Sequence, residues 1–264
     1  NISLQCNFKY YLTNLLSLKS LRRYKIIIQY DGSFFNGWQL QKDNKTVQGE
    51  IENALKTITK SENRFPIKGA GRTDAGVHAL GQVAHFDMDT RLTDLELKNA
   101  MNFYISKYCK IMSLCQIYSD FDSRHDALKR TYIYQLYLGP SILFDNQAWL
   151  IENIDLIVLK QLSKFIKGEH DFLSFSKFDS SKEHTLSIVY DSDWKKNGDI
   201  VTYKISANRF LHHMIRYIVG TMVEVSRGNF SEDQFKSLLH IPRKNVQIYK
   251  APARGLQLLK VEYA

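Results

Sequence analysis

The sequence holds little that would stiffen or staple a chain. There are four prolines and three cysteines in 264 residues. Cys6, Cys109 and Cys115 are odd in number and form no C-x-x-C, and no histidine stands at zinc-finger spacing. A disulfide framework and a metal site are therefore not expected; free thiols in a reducing compartment are. No apolar run approaches the roughly 20 residues of a membrane span, so no membrane partner is expected. No acidic residue precedes Asp31, which makes residues 1–21 a basic, poorly ordered extension by expectation. An organellar transit segment and an RNA-gripping tail both fit it. Repeats, Pro-rich linkers and low-complexity blocks are missing too. The run Gly69-Ala70-Gly71 invites a phosphate-loop reading, but the dinucleotide pattern needs a third glycine where Asp74 stands, and no Gly-Lys-Ser/Thr follows. A fixed carboxylate there would also repel a phosphate.

What the chain has is positive charge and aromatic rings. Lys and Arg number 36 against 27 Asp and Glu, a net +9, with 15 Tyr and 15 Phe. Such a surplus suits a polyanion, and rings can stack unpaired bases. Composition alone leaves an ordinary basic protein equally open. Hydrophobic residues make up 44%, a globular composition with a core.

Patterning predicts strands over Arg23–Tyr30, Gln82–Asp87, Ile111–Tyr118, Arg130–Leu138, Ser187–Trp194, Asp199–Ala207 and Gly255–Tyr263. Helices are predicted over Thr46–Thr59, Leu95–Tyr104, Asp155–Lys167, Phe210–Val225 and Ser231–Leu239, the last opening on an N-cap serine. Without strict β-α-β alternation, the order points to α+β: two similar ferredoxin- or RRM-like halves sharing one extended, mostly antiparallel sheet, with helices on one side. The expected partition is 22–145, carrying the Asp74 loop, and 146–264, carrying the apolar helix. On that helix Arg209, His213, Arg216 and Gly220 recur at helical spacing as one polar stripe. A buried arginine usually has a carboxylate partner, and Asp74 is the expected partner of Arg216.

Gly71-Arg72-Thr73-Asp74-Ala75-Gly76-Val77-His78-Ala79 resembles the signature of the TruA family of tRNA pseudouridine synthases. Further blocks resemble the same family in the same order. They are Tyr30 to Gln41 with Thr46-Val47-Gln48, Phe121-Asp122-Ser123-Arg124 with Ala127, Arg130, Tyr132 and Tyr134, Asp171-Phe172 with Ser174-Phe175, Ala207 to Arg216 with Gly220, and Ala251 to Leu258. Ser123 stands where an alanine is usual and Ser106 where a proline is usual.

The resemblance implies a central RNA-binding cleft and isomerisation of uridine to pseudouridine in the anticodon stem-loop of tRNA, at positions 38 to 40, by a cytoplasmic homodimer that needs no cofactor. It implies a catalytic Asp74, attacking either C1′ or the uracil ring, with Tyr132 and Arg216 as further catalytic residues and Tyr134 as packing. Arg72, Thr73, His78, Arg124, Arg130 and His213 are the expected substrate or RNA contacts, His78 chiefly by shaping the loop; Arg22, Arg23, Lys25 and Lys129 are further phosphate candidates. Three rivals remain: a non-catalytic RNA-binding relative, the same chemistry on other RNA positions, and a glycosidase, which would need a second acid beside Asp74.

Overall fold

Strand β1 (Arg22–Tyr30) shows how the sheet is built. Tyr24, Ile26, Ile28 and Tyr30 alternate into the core, while Arg23, Lys25 and Ile27 face the other way, as a period of two requires. The computed structural model describes residues 21–177 and 184–264; the expected extension over 1–21 lies, apart from Leu21, outside them. The remaining strands are β2 (Lys68–Gly69), β3 (His78–Met88), β4 (Cys109–Ile117), β5 (Lys129–Leu138), β6 (Trp149–Ile151), β7 (Gly168–Asp171), β8 (Leu186–Asn197), β9 (Ile200–Ala207) and β10 (Leu256–Glu262). They form one ten-stranded sheet in the order β4-β1-β3-β10-β5-β9-β8-β7, with β2 beside β3 and β6 beside β5. Pairing is antiparallel except at β10–β3 and β5–β6.

Among the described residues the α-helices are α1 (Val47–Thr59), α2 (Asp94–Tyr104), α3 (Leu156–Phe165), α4 (Met214–Ser226) and α5 (Glu232–His240). Local chemistry sets their starts. The Thr46 hydroxyl accepts from the Gly49 N–H, and capping boxes open α2 (Thr93 with Glu96) and α5 (Ser231 with Gln234), closing amides that a helix start leaves unpaired. Their apolar faces join one core with the inward strand residues, among them Tyr24, Phe86, Tyr134, Trp194 and Tyr203. This is the α+β sheet with helices on one side that the patterning predicts.

The patterning does not predict the short strands β2, β6 and β7, and two of the elements that it predicts depart from it for a visible reason. Strand β3 is longer than predicted and is buried on both faces. Its second face lies under a small cluster in which Phe121 packs with Ala70, Val83 and Tyr263. Ser123, in the same segment, is buried and donates to the Lys68 carbonyl at 2.7 Å, while the Ser123 N–H donates to His85 Nδ1 at 3.0 Å. A serine replaces the usual alanine here without leaving its hydroxyl unpaired. The apolar helix starts at Met214, not Phe210, because His213 takes a left-handed conformation (φ 64°) at its N-cap.

The chain's last strand closes the centre. β10 lies between β3 and β5, and its parallel pairing with β3 covers only Gln257–His78 and Leu258–Ala79. The segment just before β10 is fastened from several sides. Ala251 N–H donates to the Arg216 carbonyl (3.0 Å), Tyr134 Oη donates to the Pro252 carbonyl (2.8 Å), and His78 Nε2 donates to the Arg254 carbonyl (3.1 Å). Gly220 on α4 permits this seating, since a Cβ there would lie 2.3 Å from the Tyr249 carbonyl oxygen and 2.7 Å from Ala251 N. Both obstacles are backbone and cannot swing away. Gly220→Ala is therefore expected to destabilise the fold by about 1–3 kcal/mol; urea unfolding of the variant measures it, and an unchanged midpoint would show that the segment can shift at no cost.

Candidate active site

Asp74 sits in the connection from β2 to β3, at the end of the short β3–β10 seam. Its loop is held from beneath. Thr73 is buried; its hydroxyl bonds Tyr30 Oη at 2.8 Å, and its carbonyl accepts from Trp38 N–H at 3.0 Å. The Gly71 carbonyl accepts from Gln82 Nε2 at 2.8 Å, and Val77 N–H returns to the Asp74 carbonyl at 3.1 Å. The small residues have two explanations. A Cβ on Gly69 would strike the Trp38 indole at 2.6 Å, whereas one on Gly71 would meet nothing within 4 Å. The first glycine serves packing, and the second borders open space.

From the far side the N-terminal end of α4 meets this carboxylate. Arg216 Nη1 donates to Asp74 Oδ2 at 2.9 Å, and His213 Nδ1 donates to the same oxygen at 2.7 Å. His212 Nε2 lies 3.5 Å from Oδ1. Arg216 is itself steadied by Nε donating to the Ala251 carbonyl at 2.8 Å. Adjacent residues of a regular helix would point about 100° apart. The left-handed His213 ahead of α4 is what lets His212 and His213 both reach Asp74. Their rings lie 3.9 Å apart, centroid to centroid.

The electrostatics follow. Burial alone would raise the Asp74 carboxyl's pKa. The hydrogen bond and charge of His213, then those of Arg216, outweigh it and hold the group at about 2, so the carboxylate is ionised across the physiological range. Asp74, His212 and His213 each offer one ligand atom, all within 4.8 Å of one another, the spacing a divalent metal ion would accept. Arg216 already neutralises Oδ2, and any such ion would compete with it. Size does not mark the site. A cavity of about 430 Å³ opens between Tyr30, Asp31, His78, Lys107 and Gln257, and Asp74 does not line it.

Tyr132 is buried on β5, edge-on to Phe210 with ring centroids 5.2 Å apart. Burial pushes its phenol up to about 12, with Arg130 lowering it and Asp74 raising it. It is therefore a neutral phenol at working pH. Tyr134, expected as packing, is fully buried.

Other expected contacts are engaged within the protein. Thr73 is turned inward as described. His78 is buried, with Nδ1 accepting from the Gly32 N–H at 3.1 Å and Nε2 bound to Arg254, which fits loop shaping. Arg130, expected at a phosphate, directs its guanidinium to backbone carbonyls. Arg23 forms a bidentate pair with Asp87, Lys129 pairs with Glu262, and Lys25 lies over the Phe121 and Tyr263 rings. Arg72 and Arg124 are exposed. Sequence reasoning missed His212; its signal was the doubled histidine, hidden by the assumption of a regular helix.

A family model described as tRNA pseudouridine synthase matches residues 26–113 and 163–264. The chain is 39% identical over 246 residues to the tRNA pseudouridine synthase A of Ehrlichia chaffeensis, covering 91% of this chain and 100% of that one. It is 34% identical to that of Wolbachia pipientis (91% and 100% covered) and 32% identical to that of Bacillus licheniformis (91% and 99%). The protein is thus an enzyme of the class that isomerises uridine to pseudouridine. It belongs to the tRNA pseudouridine synthase family.

The depressed Asp74 pKa carries a pH signature. A carboxylate lowered from 3.8 to about 2 contributes stability that is complete above the unfolded value and lost as pH falls through the folded one. The stability gap between wild type and Asp74→Asn should narrow by about 2 kcal/mol between roughly pH 4 and 2. Denaturant unfolding at stepped pH measures this; a gap that stays constant below pH 4 would mean that the Asp74 carboxyl is not held below its ordinary value.

Proposed function

We propose that the protein converts uridine to pseudouridine in the anticodon stem-loop of tRNA, at positions 38 to 40, with Asp74 as the nucleophile and without a cofactor. The observation that carries this reading is the carboxylate held ionised by His213 and Arg216 beside the open space at Gly71. In the reaction the C1′–N1 bond breaks, the uracil turns, and a C5–C1′ bond forms; the C5 proton leaves and N1 gains one. A nucleophile that is already charged needs no base to activate it. The uridine must first leave its stack, at a cost of roughly a few kcal/mol, and exposed Arg72 stands where it can hold a phosphate or fill the gap. Tyr132 gives the base a ring to lie on. As a neutral phenol it donates a hydrogen bond, and it accepts the C5 proton only by passing on its own.

The groups against Asp74 are two imidazoles and a guanidinium, not the second carboxyl that a glycosidase needs. The presence of Asp74, Tyr132 and Arg216 together disfavours a non-catalytic relative. The reading includes a first half, 22–145, that supplies the nucleophile and a second, 146–264, that supplies its cationic partners. In the sheet β5 pairs with β9 and β10. It also includes a homodimer, in which one copy binds the tRNA body while the other presents Asp74. The exposed Phe103, Ile142 and Leu143 are apolar surface suited to a second copy. A cytoplasmic setting fits the free thiols of Cys109 and Cys115.

Unmodified tRNA tritiated at uracil C5 tests the chemistry. Wild type should release tritium to water, Asp74→Ala should release none, and Arg216→Ala should lose roughly 100-fold in kcat, the scale of a misplacement of about 1 Å. Release that survives Asp74→Ala removes Asp74 as nucleophile, and mapping of the product nucleotide decides the position. Light scattering at assay concentration should give twice the chain mass; a monomer that is fully active removes the dimer.

A further inference from the structure

Both terminal nitrogens of the Arg130 guanidinium are engaged by backbone carbonyls, and among the described residues no carboxylate pairs with it. Nη1 donates to the carbonyls of Ala127 at 2.8 Å and Asn208 at 2.7 Å, and Nη2 to those of Ala70 at 3.1 Å and Arg124 at 2.6 Å. The two terminal nitrogens carry four N–H bonds, and each meets one carbonyl, which leaves none aimed at solvent. The acceptors belong to three separate segments. Ala70 begins the loop that carries Asp74. Arg124 and Ala127 lie in the segment that covers the second face of β3. Asn208 follows β9, where the chain enters the turn that presents His212 and His213.

We propose that Arg130 is a positioning residue for the reaction, a clamp that fixes the Asp74 loop against the His212–His213 turn, and not a ligand for RNA phosphate. This rests on the reading of Asp74 as nucleophile. The ion pair at Asp74 and the Arg130 clamp join the same two parts of the chain at two places, and two fastenings fix a distance and an angle where one fixes only a distance. The role requires arginine. A planar fork reaches acceptors on several sides at once, whereas an ammonium offers three donors from a single point. Burial pushes the Arg130 pKa down, and with no counter-ion in contact among the described residues the negative ends of the four carbonyl dipoles compensate its charge. Asn208 is in turn held by its own side chain, whose Oδ1 accepts from the Ile188 and Arg209 N–H groups at 3.0 and 2.8 Å, so the anchor does not drift.

Arg130→Lys and Arg130→Gln separate clamp from phosphate ligand. For a clamp, both lower kcat by at least roughly tenfold, while the Kd for tRNA stays within about twofold and the slope of log K against log salt is unchanged. A phosphate ligand behaves differently: lysine restores it, and Arg130→Gln weakens binding and flattens the slope by about 0.7–0.9. That pattern, or a wild-type kcat in Arg130→Lys, overturns the proposal. Thermal unfolding shows whether the variants fold. If they do not, phenylglyoxal treatment of the wild type decides: a clamped Arg130 stays unmodified with or without tRNA, and modification that tRNA prevents overturns the clamp. A wild type that makes no pseudouridine would defeat the functional reading itself, whereas an active wild type with an equally active Arg130→Lys defeats only this inference.

Discussion

A half-buried carboxylate stays charged only if something cationic is held against it, and here that something comes from 142 residues away. The pair of Asp74 with Arg216 is the contact on which the rest of the arrangement depends. Desolvation disfavours the charged form, and the donors on Oδ2 reverse the balance. Asp74 is consequently poised only when the β2–β3 loop and α4 have met, so the chemistry and the tertiary fold share one requirement.

Counted by strand pairing alone, the sheet is thinnest where that requirement is most stringent. β3 and β10 are paired at two positions, yet the residues from Ala251 to Gly255 are bound by Arg216, Tyr134 and His78. Gly255 packs against the Tyr134 ring as well; a Cβ there would lie 2.6 Å from it. Side chains thus supply across the seam what backbone pairing does not. This gives a physical role to Tyr134 and His78, which lie in the same sequence blocks as Tyr132 and Asp74 but have their polar atoms bound to backbone.

The sequence carries the fold well where periodicity is one-sided. α1 shows its face in Val47, Ile51, Ala54 and Leu55, all buried, and the N-cap serine marks α5. It carries less where burial comes from a distant cover. Alternation in β3 implies one wet face, but Phe121 and Tyr263 close over it, and no local pattern announces them. The site follows the same division. The spacing of Arg216 and the need of a buried cation for an anion lead to Asp74 from sequence alone. His212 is lost because the helix was extended back through a left-handed residue. Arg130 and Thr73, expected at the RNA, have their side chains bonded within the protein for a chemical reason: the groups that bind phosphate, guanidinium and hydroxyl, also bond backbone carbonyls and neighbouring hydroxyls. Which partner they take depends on what the fold brings near.

The pairing also resolves a conflict inherent in the proposed substrate. A bare carboxylate displayed on a loop repels a polyanion, and at 4 Å two unit charges interact by about 4 kcal/mol at an effective dielectric of 20. Asp74 is not bare. Arg216 cancels its charge directly, with His213 and His212 beside it, in a chain whose net charge is +9. Asp74 can remain anionic while the field that an approaching phosphate meets is neutral or positive. The donors that lower its pKa therefore also ease the approach of a polyanion, and loss of Arg216 would affect both protonation and approach.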